Sequence, residues 1–176
     1  MFAQRPCNVL GIDPGLTRCG YAVLQVEGNT EVSMRALGVL RTKPEQELSH
    51  RLAEIASEID SLLDEYQPSV VAVERIFFQS NVRTAMSVGQ VSGLVLSAAA
   101  RRGVEVVQYS PNQVKLAITG WGGADKAQVQ KMVKQRLKLN SLPKPADAAD
   151  AAAIALCHIA SSPMATKVAE LARGKK

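Results

Sequence analysis

The chain has 176 residues, 47% apolar and 21% charged, with a formal net charge of +5. That length suits one domain with a substantial core, and the composition excludes a disordered or collagen-like chain. Three cysteines without a CxxC pair (Cys7, Cys19 and Cys157) exclude a disulfide framework and a zinc site and read as reduced thiols. There is no charged-then-apolar signal segment at the N-terminus. The most apolar helical stretch, residues 85–100, is too short and too interrupted by Ser, Gly and Gln to span a bilayer, so a cytoplasmic protein is expected.

Residues 8–13, 20–27 and 31–41 read as three successive strands. Gly15 and Gly20 bracket the first turn, and Gly28-Asn29 supplies a hairpin turn between the next two. The third strand alternates only roughly. Pro44 is expected to open a helix with Glu45 and Glu47 in its first turn, where the macrodipole favours acids. Leu48, Leu52, Ile55, Ile59, Leu62 and Tyr66 step by 4, 3, 4, 3 and 4 and make one amphipathic face. Pro68 ends that helix, and the apolar run at 70–73 reads as a buried strand of parallel type.

A helix follows from about 82 to 102, stopped by Gly103, and then a strand at 104–109. Ser110, Pro111 and Gln113 supply the N-cap, the N1 proline and the capping-box Gln of the next helix. After Gly120-Trp121-Gly122-Gly123, Asp125 caps another helix, with Gln128 three residues on. The last long helix starts near 145 and runs to about 162, and the basic tail from about 163 is expected to fray. The order βββαβαβα implies an antiparallel meander joined to parallel crossovers. The fold class is therefore α/β, a mixed five-stranded sheet with helices on both faces, and residues 1–176 form a single domain.

Four carboxylates stand out against this frame. Asp13 ends the apolar run Val9-Leu10-Gly11-Ile12, and Glu74 ends Val70-Val71-Ala72-Val73. An ionised acid beside a core is costly unless it is paired. Asp147 and Asp150 share one helix face, about 5–6 Å apart at Cβ, and Ile154 continues that stripe inward. Taken singly, each has a structural explanation: a turn-forming Asp before Pro-Gly, a salt-bridged Glu, two acids favoured by a helix dipole. Together they describe an oxygen-only cluster suited to Mg²⁺ or Mn²⁺, and paired ions of that type cut phosphodiesters. The charge is also uneven. Residues 1–80 carry 7 Lys+Arg against 11 Asp+Glu, whereas residues 81–176 carry 14 against 5. A basic half beside an acidic cluster fits a polyanionic substrate.

Several blocks carry a resemblance: Leu10-Gly11-Ile12-Asp13-Pro14-Gly15, Val73-Glu74 followed by Phe77, Gln113-Val114-Lys115, Ala124-Asp125-Lys126-Ala127-Gln128-Val129-Gln130 and Ala146-Asp147-Ala148-Ala149-Asp150-Ala151. In order from Val9 to about His158, they resemble the RuvC family of Holliday-junction resolvases. The resemblance implies a ribonuclease-H-like fold, a homodimer, and paired, symmetric, metal-dependent nicking of four-way DNA junctions in recombination and repair. It maps Asp13, Glu74, Asp147 and Asp150 onto the catalytic, metal-binding acids. Two Mg²⁺ ions per site are implied, with Mn²⁺ as the candidate substitute. Phe77, Phe78, Arg83, Lys115 and Lys126 become the DNA-contact candidates, Phe77 as an aromatic wedge. A RuvA–RuvB branch-migration complex is the possible partner.

Other features are weighed beside these. Lys131, Lys134 and Lys138 would share one basic helical face. Ala85, Gly89, Ser92, Gly93 and Ser97 form a run of small residues suited to packing on the sheet or to a symmetric helix–helix interface. His158 lies about 12 Å along the helix axis from Asp150, too far to join its ligand set. A nucleotide-binding ATPase of the actin-like group would need two related domains. A non-catalytic junction binder and a non-specific exonuclease stay open as alternatives at this stage.

Overall fold

A computed structural model describes residues 7–27, 31–75 and 82–161, the side chains of residues 82–84 excepted. The Gly28-Asn29 turn, Phe77, Phe78, the Arg83 side chain and the tail from about 163 lie outside the described residues. The elements run β1 (Cys7–Asp13), β2 (Arg18–Glu27), β3 (Glu31–Arg41), α1 (Leu48–Tyr66), β4 (Val70–Glu74), α2 (Val82–Arg101), β5 (Glu105–Tyr109), α3 (Pro111–Thr119), α4 (Lys126–Arg136) and α5 (Ala146–Ser161). The strands form one sheet in the order β3-β2-β1-β4-β5. β1 and β3 flank β2 antiparallel, whereas β4 pairs in parallel with both β1 and β5. The α/β class and mixed five-stranded sheet expected from the sequence are what the chain adopts.

Successive strand side chains point to opposite faces, and that period divides the core in two. Leu10, Ile12, Val71 and Val73 face Ile55 and Ile59 of α1 and Val91 and Val95 of α2. Val9 and Ala72, with Ala22 and Leu24, face α5, and Val114 and Ile118 of α3 and Val129 and Val133 of α4 complete that side. Covering both faces is what makes β4 a continuous apolar run. The same parity sends Asp13 and Glu74 toward α5, since Asp13 is two residues beyond Gly11 and Glu74 two beyond Ala72.

The contact between α5 and the sheet is unusually close. A Cβ on Gly11 would collide with the backbone oxygen of Ala151 and with Ala155, and a Cβ on Gly20 with the backbone oxygen of Asp147. Residues 147, 151 and 155 form one i, i+4 stripe, and its alanines leave the helix backbone free to approach the strands. Seven alanines and cysteines of α5, including Ala148, Ala151, Ala152 and Cys157, are buried.

Sequence reading and structure differ at several boundaries. α1 begins at Leu48, not at Pro44. Residues 43–46 instead form a turn closed by the Gln46 N–H donating to the Lys43 carbonyl, so Glu45 and Glu47 precede the helix and no acid stands in its first turn. Gly20 lies inside β2 opposite Asp13 and not at the turn, its lack of a side chain serving the helix contact. The irregular alternation of β3 reflects a bulge: Val23 pairs with Ala36 and Leu24 with Met34, so Arg35 is the extra residue. α4 ends at Arg136, because buried Leu137 caps it and Lys138 takes a left-handed φ of 51°. Lys138 therefore does not share a helical face with Lys131 and Lys134. Finally, the small residues of α2 split. Ala85 and Ser92 are buried against the sheet, while Gly93 and Ser97 are exposed.

Two glycine substitutions should separate these roles. Gly11→Ala forces the helix backbone off the sheet and should cost about 3 kcal/mol in urea unfolding. Gly93→Ala meets open space within a helix interior and should instead add about 0.5–1 kcal/mol. Equal effects at the two positions would rule out the backbone contact as the reason for Gly11.

Candidate active site

Three pieces of local structure deliver the acids. Asp13 is the last residue of β1, and the turn after it is pinned. Thr42 Oγ1 donates to the Leu16 carbonyl at 2.6 Å, and Arg51 reaches Thr42 Oγ1 at 2.9 Å and Thr17 Oγ1 at 2.7 Å. Gly15 is required there because a Cβ would run into the Arg18 carbonyl. Glu74 ends β4, one step beyond the Ile12–Val73 pair, so it stands beside Asp13 on the same face. The Arg75 N–H donates to the Tyr109 carbonyl at 2.8 Å, carrying the β4–β5 ladder past Glu74 and holding it in register. Asp147 and Asp150 enter from the first turns of α5, half-buried, where the helix dipole favours negative charge.

Two basic residues are set by capping boxes. Asp125 accepts the Gln128 N–H at 2.8 Å and Gln128 Oε1 accepts the Asp125 N–H at 2.9 Å, which fixes the first turn of α4. Lys126, its first helical residue, thereby reaches Asp150 Oδ2 at 2.5 Å. Ser110 and Gln113 make the same reciprocal pair at the start of α3. Buried Val114 and Ile118 anchor α3, and half-buried Lys115 stands close enough to lower the Glu74 pKa. Sequence reading missed Arg18. It opens β2 and lies 2.5 Å from Asp147 Oδ2, an oxygen that is buried and has no aligned hydrogen bond. The signal available for Arg18 was its position five residues after Asp13, at the mouth of the same turn.

The electrostatics are those of a crowded acid cluster. Burial, followed by the charges of Glu74, Asp150 and Asp147, raises the Asp13 pKa to about 7. Burial and Asp150 push Glu74 up as well, against the pull of Lys126 and Lys115. Cys19, buried next to this cluster, is pushed up to about 12, chiefly by burial, so it stays a neutral thiol and not a nucleophile. His158 lies apart, its Nδ1 2.9 Å from the Tyr109 hydroxyl.

The donor set is chemically suited to a hard divalent cation. It is all carboxylate oxygen, carries like-charge repulsion at Asp13 that Lys126 only partly relieves, and includes a buried Asp147 oxygen that has no aligned hydrogen bond. Among the described residues, however, no three acid, His or Cys side chains converge closely enough to ligate one ion. Asp147 and Asp150 are engaged by Arg18 and Lys126, which occupy the position of positive charge. Cation binding therefore requires those two ion pairs to open. Both cations are more than two-fifths exposed, so the pairs are weak and the exchange is inexpensive.

Comparison with known proteins places the chain in a family. Residues 9–158 match the family model described as crossover junction endodeoxyribonuclease RuvC. A protein of that name from Saccharopolyspora erythraea is 53% identical over 163 residues, covering 93% of this chain and 82% of the relative. The structure of Thermus thermophilus RuvC in complex with a Holliday junction substrate superposes with a TM-score of 0.85 at 39% identity, covering 91% of this chain and 97% of that one. The yeast mitochondrial Holliday junction resolvase Ydc2, 14% identical, superposes with a TM-score of 0.68 over 96% of this chain and 86% of its own, a likeness of fold alone. No helix among the described residues is long and apolar enough to cross a membrane.

The raised Asp13 pKa has a stability consequence with a definite sign. An acid whose folded-state pKa lies above its ordinary 3.8 binds its proton more tightly when folded. Its contribution is intact below about pH 4 and is lost as pH rises toward about 7, by roughly 4 kcal/mol. In EDTA, Asp13→Asn should be more stable than the parent at pH 8, and the two should converge near pH 4. Parallel pH–stability curves from denaturant unfolding would show that Asp13 titrates normally.

Proposed function

The chain belongs to the RuvC family of crossover junction endodeoxyribonucleases, and we propose that it resolves four-way DNA junctions by paired, symmetric nicking at the Asp13–Glu74–Asp147–Asp150 cluster. The observation that carries the site assignment is that two strand-end acids and two helix acids are near enough to act on one another, with Asp13 raised to about 7 by burial and by the charges of the other three. Such a cluster is unfavourable for the metal-free fold, and positive charge is what relieves it. The products would bear 5′-phosphate and 3′-hydroxyl ends.

A pair of divalent cations, Mg²⁺ or Mn²⁺, would supply the Lewis acidity that activates water and stabilises the leaving 3′ oxygen. Asp13, whose charge is coupled to Glu74, Asp150 and Asp147, would hold them together with those three acids. Lys126 and Lys115 bring positive charge to the Asp150 and Glu74 sides of the cluster. Lys115 and Lys126 would offer positive charge to a phosphate oxygen and to the extra negative charge of the transition state. Arg18, released from Asp147, would face the same strand. Phe77 remains a DNA-contact candidate on the grounds of resemblance, with Phe78 and Arg83 as further candidates beside it.

Symmetric nicking requires two such sites related by a two-fold axis. The exposed side of α2 supports a homodimer: Met86 is 59% exposed, and Gly93 lies on the same helix with open space where its Cβ would be. Association with a RuvA–RuvB branch-migration complex belongs to the same reading.

Two experiments test the proposal. Asp13→Asn, Glu74→Gln, Asp147→Asn and Asp150→Asn should each bind a synthetic four-way junction in gel shifts yet lose about 10²-fold or more in Mg²⁺-dependent cleavage. Retained cleavage by any one of them removes that residue from the site, and equal cutting of linear duplex would make the chain a non-specific nuclease. Gly93→Arg has room within the protomer, so it should keep the folded circular dichroism spectrum while light scattering reports a monomer. An unchanged dimer mass would move the interface away from α2.

A further inference from the structure

The segment joining α3 to α4 holds the one tryptophan of the chain, Trp121, and its side chain is 62% exposed. A large aromatic ring left in water at a loop tip has no role in the core. The backbone beneath it is nevertheless fixed. The Trp121 N–H donates to Thr119 Oγ1 at 3.2 Å, and the Trp121 carbonyl accepts the Ala124 N–H at 3.2 Å. Thr119 Oγ1 also lies 2.9 Å from the Trp121 carbonyl and 2.8 Å from that of Lys115, tying the loop to the helix that carries Lys115. The indole rests on Gly123, where any Cβ would strike the ring, so one side is seated on backbone. Leu116, 57% exposed, adds a second apolar side chain in the last turns of α3.

The position of this ring along the chain matters as much as its exposure. The Trp121 loop runs directly from the helix of Lys115 to Lys126; both lysines act on the charge of Glu74, and Lys126 also pairs with Asp150. A polyanion drawn to both lysines lies against the two helices that this loop joins. We propose that Trp121 is a stacking platform for a nucleobase of the junction DNA that the strand exchange leaves without a neighbour, so that it binds and orients the strand next to the site of cleavage. The ligand class is a base and not a phosphate, because the ring offers a π-face and an indole N–H and no positive charge. The proposal rests on the junction-resolving reading above.

The single tryptophan makes the test direct. Wild-type protein, excited at the indole band, is titrated with a four-way junction in EDTA, and complex formation is followed in parallel by gel shift. Emission should be quenched as the complex saturates, and less by a linear duplex of the same sequence. Trp121→Ala should weaken junction binding by about 5- to 100-fold with an unchanged unfolding midpoint, and Trp121→Phe should recover most of the loss. A junction complex with unchanged emission, equal quenching by linear duplex, or undiminished binding by Trp121→Ala overturns the stacking role while leaving the resolvase reading intact. Emission that depends on protein concentration without DNA would assign the ring to a contact between copies of the chain and overturn it equally. Absence of any junction complex overturns the functional reading itself, and the platform with it.

Discussion

The fold turns on the direct seating of α5 on the middle of the sheet. Gly11 and Gly20 have no side chains because the carbonyls of Ala151 and Asp147 occupy that space. The alanines of α5 complete the condition from the helix side. A contact between backbones fixes position more tightly than one between flexible side chains, since there is little to repack. Gly20 is the ladder partner of Asp13, so the carbonyl that presses on Gly20 belongs to the residue whose carboxylate must meet Asp13. The packing rule and the site geometry are one constraint.

What that constraint assembles is unfavourable in isolation. Asp13 and Glu74 lie on the covered side of a sheet, and two more acids arrive from the helix start, so burial and repulsion raise both strand acids. The fold offsets part of this with Arg18 and Lys126, which engage Asp147 and Asp150 from exposed positions. The partial relief is informative. Exposed pairs are weak and readily exchanged, whereas buried, rigid pairs would have neutralised the cluster permanently. On the proposed reading, a site that accepts divalent cations and a phosphate needs positive charge that can leave.

The basic rim is built with comparable economy. Two capping boxes, Ser110/Gln113 and Asp125/Gln128, start α3 and α4 at defined residues, and so set where Lys115 and Lys126 project. Arg136 of α4 donates to the carbonyls of Ala117 and Ile118 at the end of α3, joining the two helices around the intervening loop. The loop itself is held through Thr119. On the proposed reading, charge and aromatic surface presented on this rigid support would lower the conformational cost of holding a nucleic acid strand.

Much of this was legible in the sequence because it is encoded locally. Strand runs, the stepped face of α1, both capping boxes and the four acids are patterns of neighbours, and each corresponds to a period, a cap or a cost that operates within a few residues. The resemblance of the motif blocks to one family added the substrate. Where the reading strayed, the deciding force came from elsewhere in the chain. Pro44 suited a helix start, yet residues 43–46 close a turn before Leu48. Lys138 fitted a helical stripe, yet buried Leu137 ended the helix. Gly20 looked like a turn residue, yet a helix more than a hundred positions away requires it inside a strand. Arg18 carried only a faint local mark, its place in the turn after Asp13, because its partner is Asp147. Sequence alone determined the element order, the caps and the chemical identity of the cluster. Only the tertiary structure decided which acids carry raised pKa values, which cations answer them, and which side of α2 is left uncovered. Those properties depend on burial and on distance through space, and neither exists until the chain has folded.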